Sequence, residues 1–265
     1  MGNQLSSDLV PRDILFTIIS LLDKNEKFPL LFVSKELNLY IKNQKIQFDY
    51  LRIINNGAEV GSIELLKLYK KLNFPWTKQI CTNAIRNGNF EMLKWASKNG
   101  CPSESSIICE FAAQYGHFEI LKWARQNGCE WGPYTCTFAA ANGHFEILKW
   151  IRQNGCKWNF LTCAHAASNG HFEILKWLRK NDCEWNSLTC EYAAKNGHFE
   201  IFKWAKENGC EVNSCVYVEA TENGHFEILK LAIKNDRLAD YSYIYSLAVK
   251  NNHLEISRWA KQHMH

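Results

Sequence analysis

No stretch of the 265 residues approaches the ~18 apolar residues of a membrane-spanning helix. The first residues also lack the charged-then-apolar layout of a secretory signal, so the expectation is a soluble, intracellular chain. Charge of one sign is scarce. The formal charge of +4 is thinly spread, with 6 basic and 5 acidic side chains in residues 1–48, and no segment is basic enough for a nucleic-acid footprint. No Cys-x-x-Cys spacing occurs among the eleven cysteines, which removes the strongest zinc signal. At 46% hydrophobic and 22% charged, the composition excludes disorder and collagen-like order.

What the chain has instead is self-similarity, which fixes architecture before any other feature. Asn-Gly-His-Phe-Glu-Ile recurs with His117, His144, His171, His198 and His225 spaced by 27 residues. Asn89 and His253 mark looser copies at a spacing of 28, and Ser62 marks a weaker eighth unit. Residues 49–265 therefore read as one array of about eight units.

Within a unit, Thr135 to Asn142 is Ala-rich and predicts a first helix that Asn142-Gly143 stops. Phe145, Leu148 and Ile151, with Ile147 and Trp150, then carry the apolar spacing of a second helix ending at Asn154-Gly155. Glu146 suits the positive end of that helix, and Lys149 stands within reach of it. Helices this short are marginal alone, so each unit must bury its faces on its neighbours.

The run Asn142-Gly143-His144-Phe145-Glu146-Ile147-Leu148-Lys149-Trp150, followed by Asn154-Gly155-Cys156-Lys157-Trp158-Asn159, resembles the second helix and exit loop of ankyrin repeats. An ankyrin unit has ~33 residues. These units lack about six, where ankyrin repeats build a β-hairpin finger. The resemblance implies an all-α, finger-less ankyrin-like helix-turn-helix solenoid, similar to the short arrays of large DNA viruses of amoebae. It also implies that the recurring His closes the turn between the helices, that Cys136 is a small buried thiol, and that Trp131, Trp158 and Trp185 pack in the exit loops.

Recurrence argues against several chemistries. Six equivalent histidines do not make one catalytic centre, so no catalytic residue, cofactor or metal is assigned. Cys109, Cys136, Cys163 and Cys190 share one register, and Cys101, Cys129, Cys156, Cys183 and Cys210 share another. Layers spaced ~8–10 Å apart separate members of one register, so all eleven thiols are expected to be unpaired. Trp95, Trp123, Trp150, Trp177, Trp204 and Trp259 lie on the apolar face of the second helix and read as packing rather than a base-stacking platform. Arg125, Arg152, Arg179 and Lys206 read as a solvated cationic row at the negative helix end.

Residues that differ between units are the candidates for recognition. Glu110, Phe111, Phe138, His165, Glu191, Tyr192 and Lys195 lie on first helices, which in ankyrin-like stacks line the concave, partner-binding face. The aromatics would anchor a protein target, with Glu110, Glu191 and Lys195 as a polar rim. For the register just before each ring, residues 110, 137, 164 and 191, the alternative is packing within the stack.

Residues 9–48 break the repeat and predict short helices over Arg12 to Leu22 and Phe28 to Ile41, with Pro11 in a first turn. Val10-Pro11-Arg12-Asp13-Ile14-Leu15, Ile18-Ile19-Ser20-Leu21-Leu22-Asp23 and the distal Val33-Ser34-Lys35 together resemble an F-box, with Val10 for its Leu and Asp13 for its Glu. That resemblance implies that Pro11, Ile14, Leu15, Ile18 and Leu22 contact the Skp-family linker of a cullin ubiquitin ligase. The chain would be a substrate-recognition adaptor, cytoplasmic, and in the host cytoplasm if viral. The other reading makes residues 1–48 a solenoid cap and the chain a non-catalytic scaffold or host-interaction effector. In the tail, residues 1–8, Met1-Gly2-Asn3-Gln4-Leu5-Ser6 fits N-myristoylation at Gly2. One acyl chain gives only weak membrane association.

Overall fold

The computed structural model describes residues 78–102, 105–234, 236 and 239–264, together with Ile63, Leu66, Lys67 and Lys70. The F-box-like segment, Ser62 with most of its unit, and Gly2 lie outside these residues. Among the described residues are fourteen helices and no strand. The chain divides into two compact units, Met1–Asn87 with Glu91–Pro102, and Gly88–Phe90 with Ser103–His265.

In the first unit α1 (Lys78–Arg86) buries Ile80, Cys81, Ala84 and Ile85, and α2 (Phe90–Lys98) buries Met92, Leu93 and Ala96. In the second, first and second helices alternate. The first helices are α3 (Ser105–Gln114), α5 (Thr135–Ala141), α7 (Phe160–Ser168), α9 (Ser187–Lys195), α11 (Ser214–Glu222) and α13 (Tyr241–Lys250). The second helices are α4 (Phe118–Gln126), α6 (Phe145–Gln153), α8 (Phe172–Lys180), α10 (Phe199–Glu207), α12 (Phe226–Ile233) and α14 (Leu254–His263). Each expected boundary of the unit at 135–155 falls within a residue or two of the observed helix, and the connections are short irregular loops, as the missing finger requires.

First helices pack directly on one another, α3 on α5 on α7 on α9 on α11 on α13. Their shared faces are small side chains, among them Ala139, Ala140, Ala166, Ala167, Ala193 and Ala194, all fully buried. Small residues let the backbones approach closely. Second helices are spaced by rings. Phe118 meets Trp150, Phe145 meets Trp177, and Phe172 meets Trp204 edge to face at 5.4–5.7 Å. Where Leu231 replaces the tryptophan, α10 and α12 come closer together than the other second-helix neighbours.

Asn-Gly ends both helices of a layer by the same means. Asn142 returns its side-chain N–H to the Phe138 carbonyl at 2.9 Å and Asn154 to the Trp150 carbonyl at 2.8 Å, while Gly143 and Gly155 take φ of 77° and 83°. The two glycines differ in their surroundings. A Cβ on Gly143 would lie 2.8 Å from the ring of His171, whereas a Cβ on Gly155 would meet nothing within 4 Å.

The histidine finding corrects the expectation drawn from the resemblance. His171 Nε2 donates to the carbonyl of Ala141, the last residue of the preceding layer's first helix, at 3.1 Å. His144 reaches Gln114, His198 reaches Ser168, and His225 reaches Lys195 in the same way, at 3.0–3.1 Å. The ring thus joins adjacent layers through an otherwise orphaned helix-end carbonyl rather than closing its own turn.

The cationic row is corrected as well. Arg152 Nη1 donates to the Cys156 carbonyl at 3.2 Å, and its guanidinium lies 4.1 Å above the Trp158 ring. Arg125 on Trp131 and Arg179 on Trp185 repeat the arrangement. An arginine here is a clip on its exit loop, because a planar cation stacks on an indole while its N–H groups still bond a carbonyl. In the next layer Val212 replaces the tryptophan, and Lys206 instead reaches the carbonyl of Ala232 on α12 at 3.0 Å. The exposed pairs Glu119–Lys122 and Glu146–Lys149 form at 2.6 and 2.8 Å, as the spacing predicts, and contribute little in water.

Candidate protein-binding surface

Packing consumes one side of each first helix and leaves the other. On α5, Thr135, Cys136, Thr137, Ala139 and Ala140 are buried. Tyr134, Phe138 and Ala141 share the opposite face by their i, i+4, i+7 spacing. The corresponding positions place Phe111 on α3, His165 on α7 and Tyr192 on α9, so the four are one half-buried row across successive layers.

His165 and Tyr192 touch edge to face at 5.7 Å. Phe111 and Phe138 instead pair with tyrosines of their own layer, Tyr115 at 6.1 Å and Tyr134 at 5.9 Å. Tyr134 is 47% exposed, more than any of the four residues singled out by sequence. Comparison between units overlooked it because it precedes the helix. The signal was present, since an aromatic four residues from Phe138 falls on the same face.

The neighbouring register turns toward the stack. Thr137 and Ala164 are buried. Glu110 accepts the backbone N–H of Tyr134 at 3.0 Å, and Glu191 accepts the side-chain N–H of Asn213 at 2.9 Å. Both carboxylates therefore serve the start of the next layer's first helix. Asn159, Asn186 and Asn213 cap α7, α9 and α11 with their own side chains. In α5 that position is Gly132, which cannot cap. Its lack of a Cβ instead makes room for Glu110. Removing Glu110 by substitution with alanine is expected to cost about 1 kcal/mol, the value of a lost helix cap, in urea unfolding. Glu191→Ala is expected to cost less, because Asn213 still caps α11. Lys195 is exposed and pairs with Glu219 across layers at 3.3 Å.

A concavity of about 410 Å³ opens between α11 and α13 and is lined by Val212, Tyr217, Val218, Tyr243 and Leu247. Its main polar pair is self-satisfied, since Tyr217 donates to Asp236 Oδ2 at 2.6 Å. Burial and that carboxylate push the phenol above its usual range. Among the described residues no three His, Cys, Asp or Glu side chains converge as metal ligands.

The aromatic row thus lies on a stack of helix pairs whose interior is fully used for packing. A family model for ankyrin repeats, in three copies, matches residues 109–189 and again 136–216. Residues 109–216 are similar to ankyrin repeats. No curated protein matches the chain at a significant level. The matched ankyrin region contains Glu110, Phe111, Phe138, His165, Glu191, Tyr192 and Lys195, and stops well short of residues 9–48. Ankyrin repeats are protein-interaction modules, so the chain is a scaffold for protein–protein contact. Among the described residues no helix is long and apolar enough to cross a membrane.

Proposed function

We propose that the chain is the substrate-recognition subunit of a cullin-type ubiquitin ligase, with residues 9–48 docking on a Skp-family linker and the ankyrin layers holding the target. The observation that carries this reading is the succession of an F-box-like segment and an interaction array in one chain. Phe111, Phe138, His165 and Tyr192 anchor the target. Each presents a ring on the face that packing leaves free, and aromatic side chains dominate protein interfaces. Lys195 and the edges of Glu110 and Glu191 supply the polar border that sets register. The subunit performs no chemistry; it brings its target to the ligase.

Co-purification of the full chain with a Skp-family protein tests the docking half. Wild type is expected to retain the linker, and Pro11→Ala/Leu15→Asp to lose it while keeping the helical circular dichroism of the ankyrin layers. A wild-type chain that captures no linker overturns the ligase reading and leaves residues 1–48 as a cap, whose deletion would then lower the melting temperature sharply.

A further inference from the structure

Layer spacing separates cysteines of one register, but the fold brings the two registers together. Cys136 Sγ on α5 lies 3.0 Å from Cys156 Sγ in the exit loop of the same layer, 20 residues later. Cys81 with Cys101, Cys163 with Cys183, and Cys190 with Cys210 repeat that offset; Cys163 Sγ lies 3.9 Å from the Cys183 carbonyl oxygen, and in each pair one thiol shifts the titration of the other. All eight are buried, whereas Cys215, which has no such partner, is exposed. Layer spacing therefore keeps thiols apart only within a register.

The exit loop causes the approach. Past Gly155 the Cys156 N–H returns to the Ile151 carbonyl at 3.0 Å, which turns its side chain under α5. Arg152 bonds the Cys156 carbonyl from its seat on Trp158 and fixes the loop there. The two sulfurs are also unequal. The hydrogen bond from Cys136 holds the Cys156 thiol below its usual range, while that bond and burial push Cys136 up. Two sulfurs without a third ligand do not complete a tetrahedral metal site, and among the described residues none converges on them.

We infer that the within-layer pairs, Cys136–Cys156 foremost, are dithiols that hydrogen peroxide closes to disulfides, locking each exit loop onto its own first helix. The Cys156 thiolate attacks a peroxide oxygen and breaks the O–O bond, leaving a sulfenic acid and releasing hydroxide, which takes up a proton. Cys136 sulfur then attacks the Cys156 sulfur and expels the sulfenic oxygen as water, with its own proton lost. Two thiols and one peroxide give one disulfide and two waters, the sulfurs losing two electrons and the peroxide gaining them. Cys136, Cys163 and Cys190 each precede Phe138, His165 or Tyr192 by two residues, so the helices held in this way carry three of the four rings of the aromatic row.

The test is peptide mapping of the full chain without reduction, after peroxide and then alkylation in denaturant. Cross-linked peptides are expected for 136–156, 163–183 and 190–210, together with a rise of several degrees in melting temperature, both reversed by dithiothreitol. Cys156→Ala is expected to lose the 136–156 product alone. Three results would overturn the inference: complete alkylation of the buried cysteines after a treatment that oxidises Cys215, cross-links that join different layers instead, or within-layer cross-links with no rise in melting temperature.

Discussion

Gly143→Ala is expected to destabilise the chain by about 2–3 kcal/mol, and the chemically identical Gly155→Ala by only about 1–2. Both glycines have positive φ, 77° and 83°, where a Cβ costs ~1–2 kcal/mol. Only Gly143 lies against a neighbour. An alanine methyl there would meet the His171 ring at 2.8 Å and force it off the Ala141 carbonyl, which forfeits a hydrogen bond worth about 1 kcal/mol. A double-mutant cycle isolates this term. In a His171→Ala background, Gly143→Ala is expected to cost no more than Gly155→Ala. The chain supports the distinction itself. Among the described residues, the two non-glycine residues at positive φ are Asp182, in the exit-loop register of Gly155, and Asn252, in the last layer.

Phe202→Ala is expected to cost about 3–5 kcal/mol in urea unfolding, the range for emptying a buried aromatic site. Phe202 is fully buried on α10, at a register where Leu93, Leu121, Leu148, Leu175 and Leu229 stand in other units. The larger residue stands one layer before Leu231, on the helix from which Lys206 reaches α12. Phe202→Leu removes half as many carbons and should cost clearly less. A loss for Phe202→Ala below about 1 kcal/mol, with cooperative unfolding kept, would mean that the ring fills no essential space.

How much of this was legible beforehand follows from what periodicity encodes. The 27-residue repeat, the Asn-Gly stops and the apolar spacing after Phe145 placed the helices, because those signals are local to one helix or turn. They also identified the row Phe111, Phe138, His165 and Tyr192, since variation within a fixed register is visible in sequence. Relations between registers were not. Whether His171 bonds its own turn or the preceding layer depends on the stacking offset, and so does the reach of Glu110 to Tyr134. The meeting of Cys136 and Cys156 depends on how the exit loop turns back under α5. Arg152 reads as solvated until the indole of Trp158 is placed beneath it. The exposed Tyr134 was lost for a simpler reason: Gly132-Pro133 shortens α5 and sets the tyrosine outside the helical pattern.

The central claim is that the recurring residues hold the layers while the aromatic row is left free for a partner. Urea unfolding of Phe138→Ala/Tyr192→Ala tests it most directly. The two rings lie on α5 and α9 with α7 between them, so their effects should add. Half-buried rings with one aromatic contact each predict a combined loss of about 2 kcal/mol or less. A loss of 3–5 kcal/mol from each ring would show that they are core residues, and would contradict the assignment of this face to a protein partner.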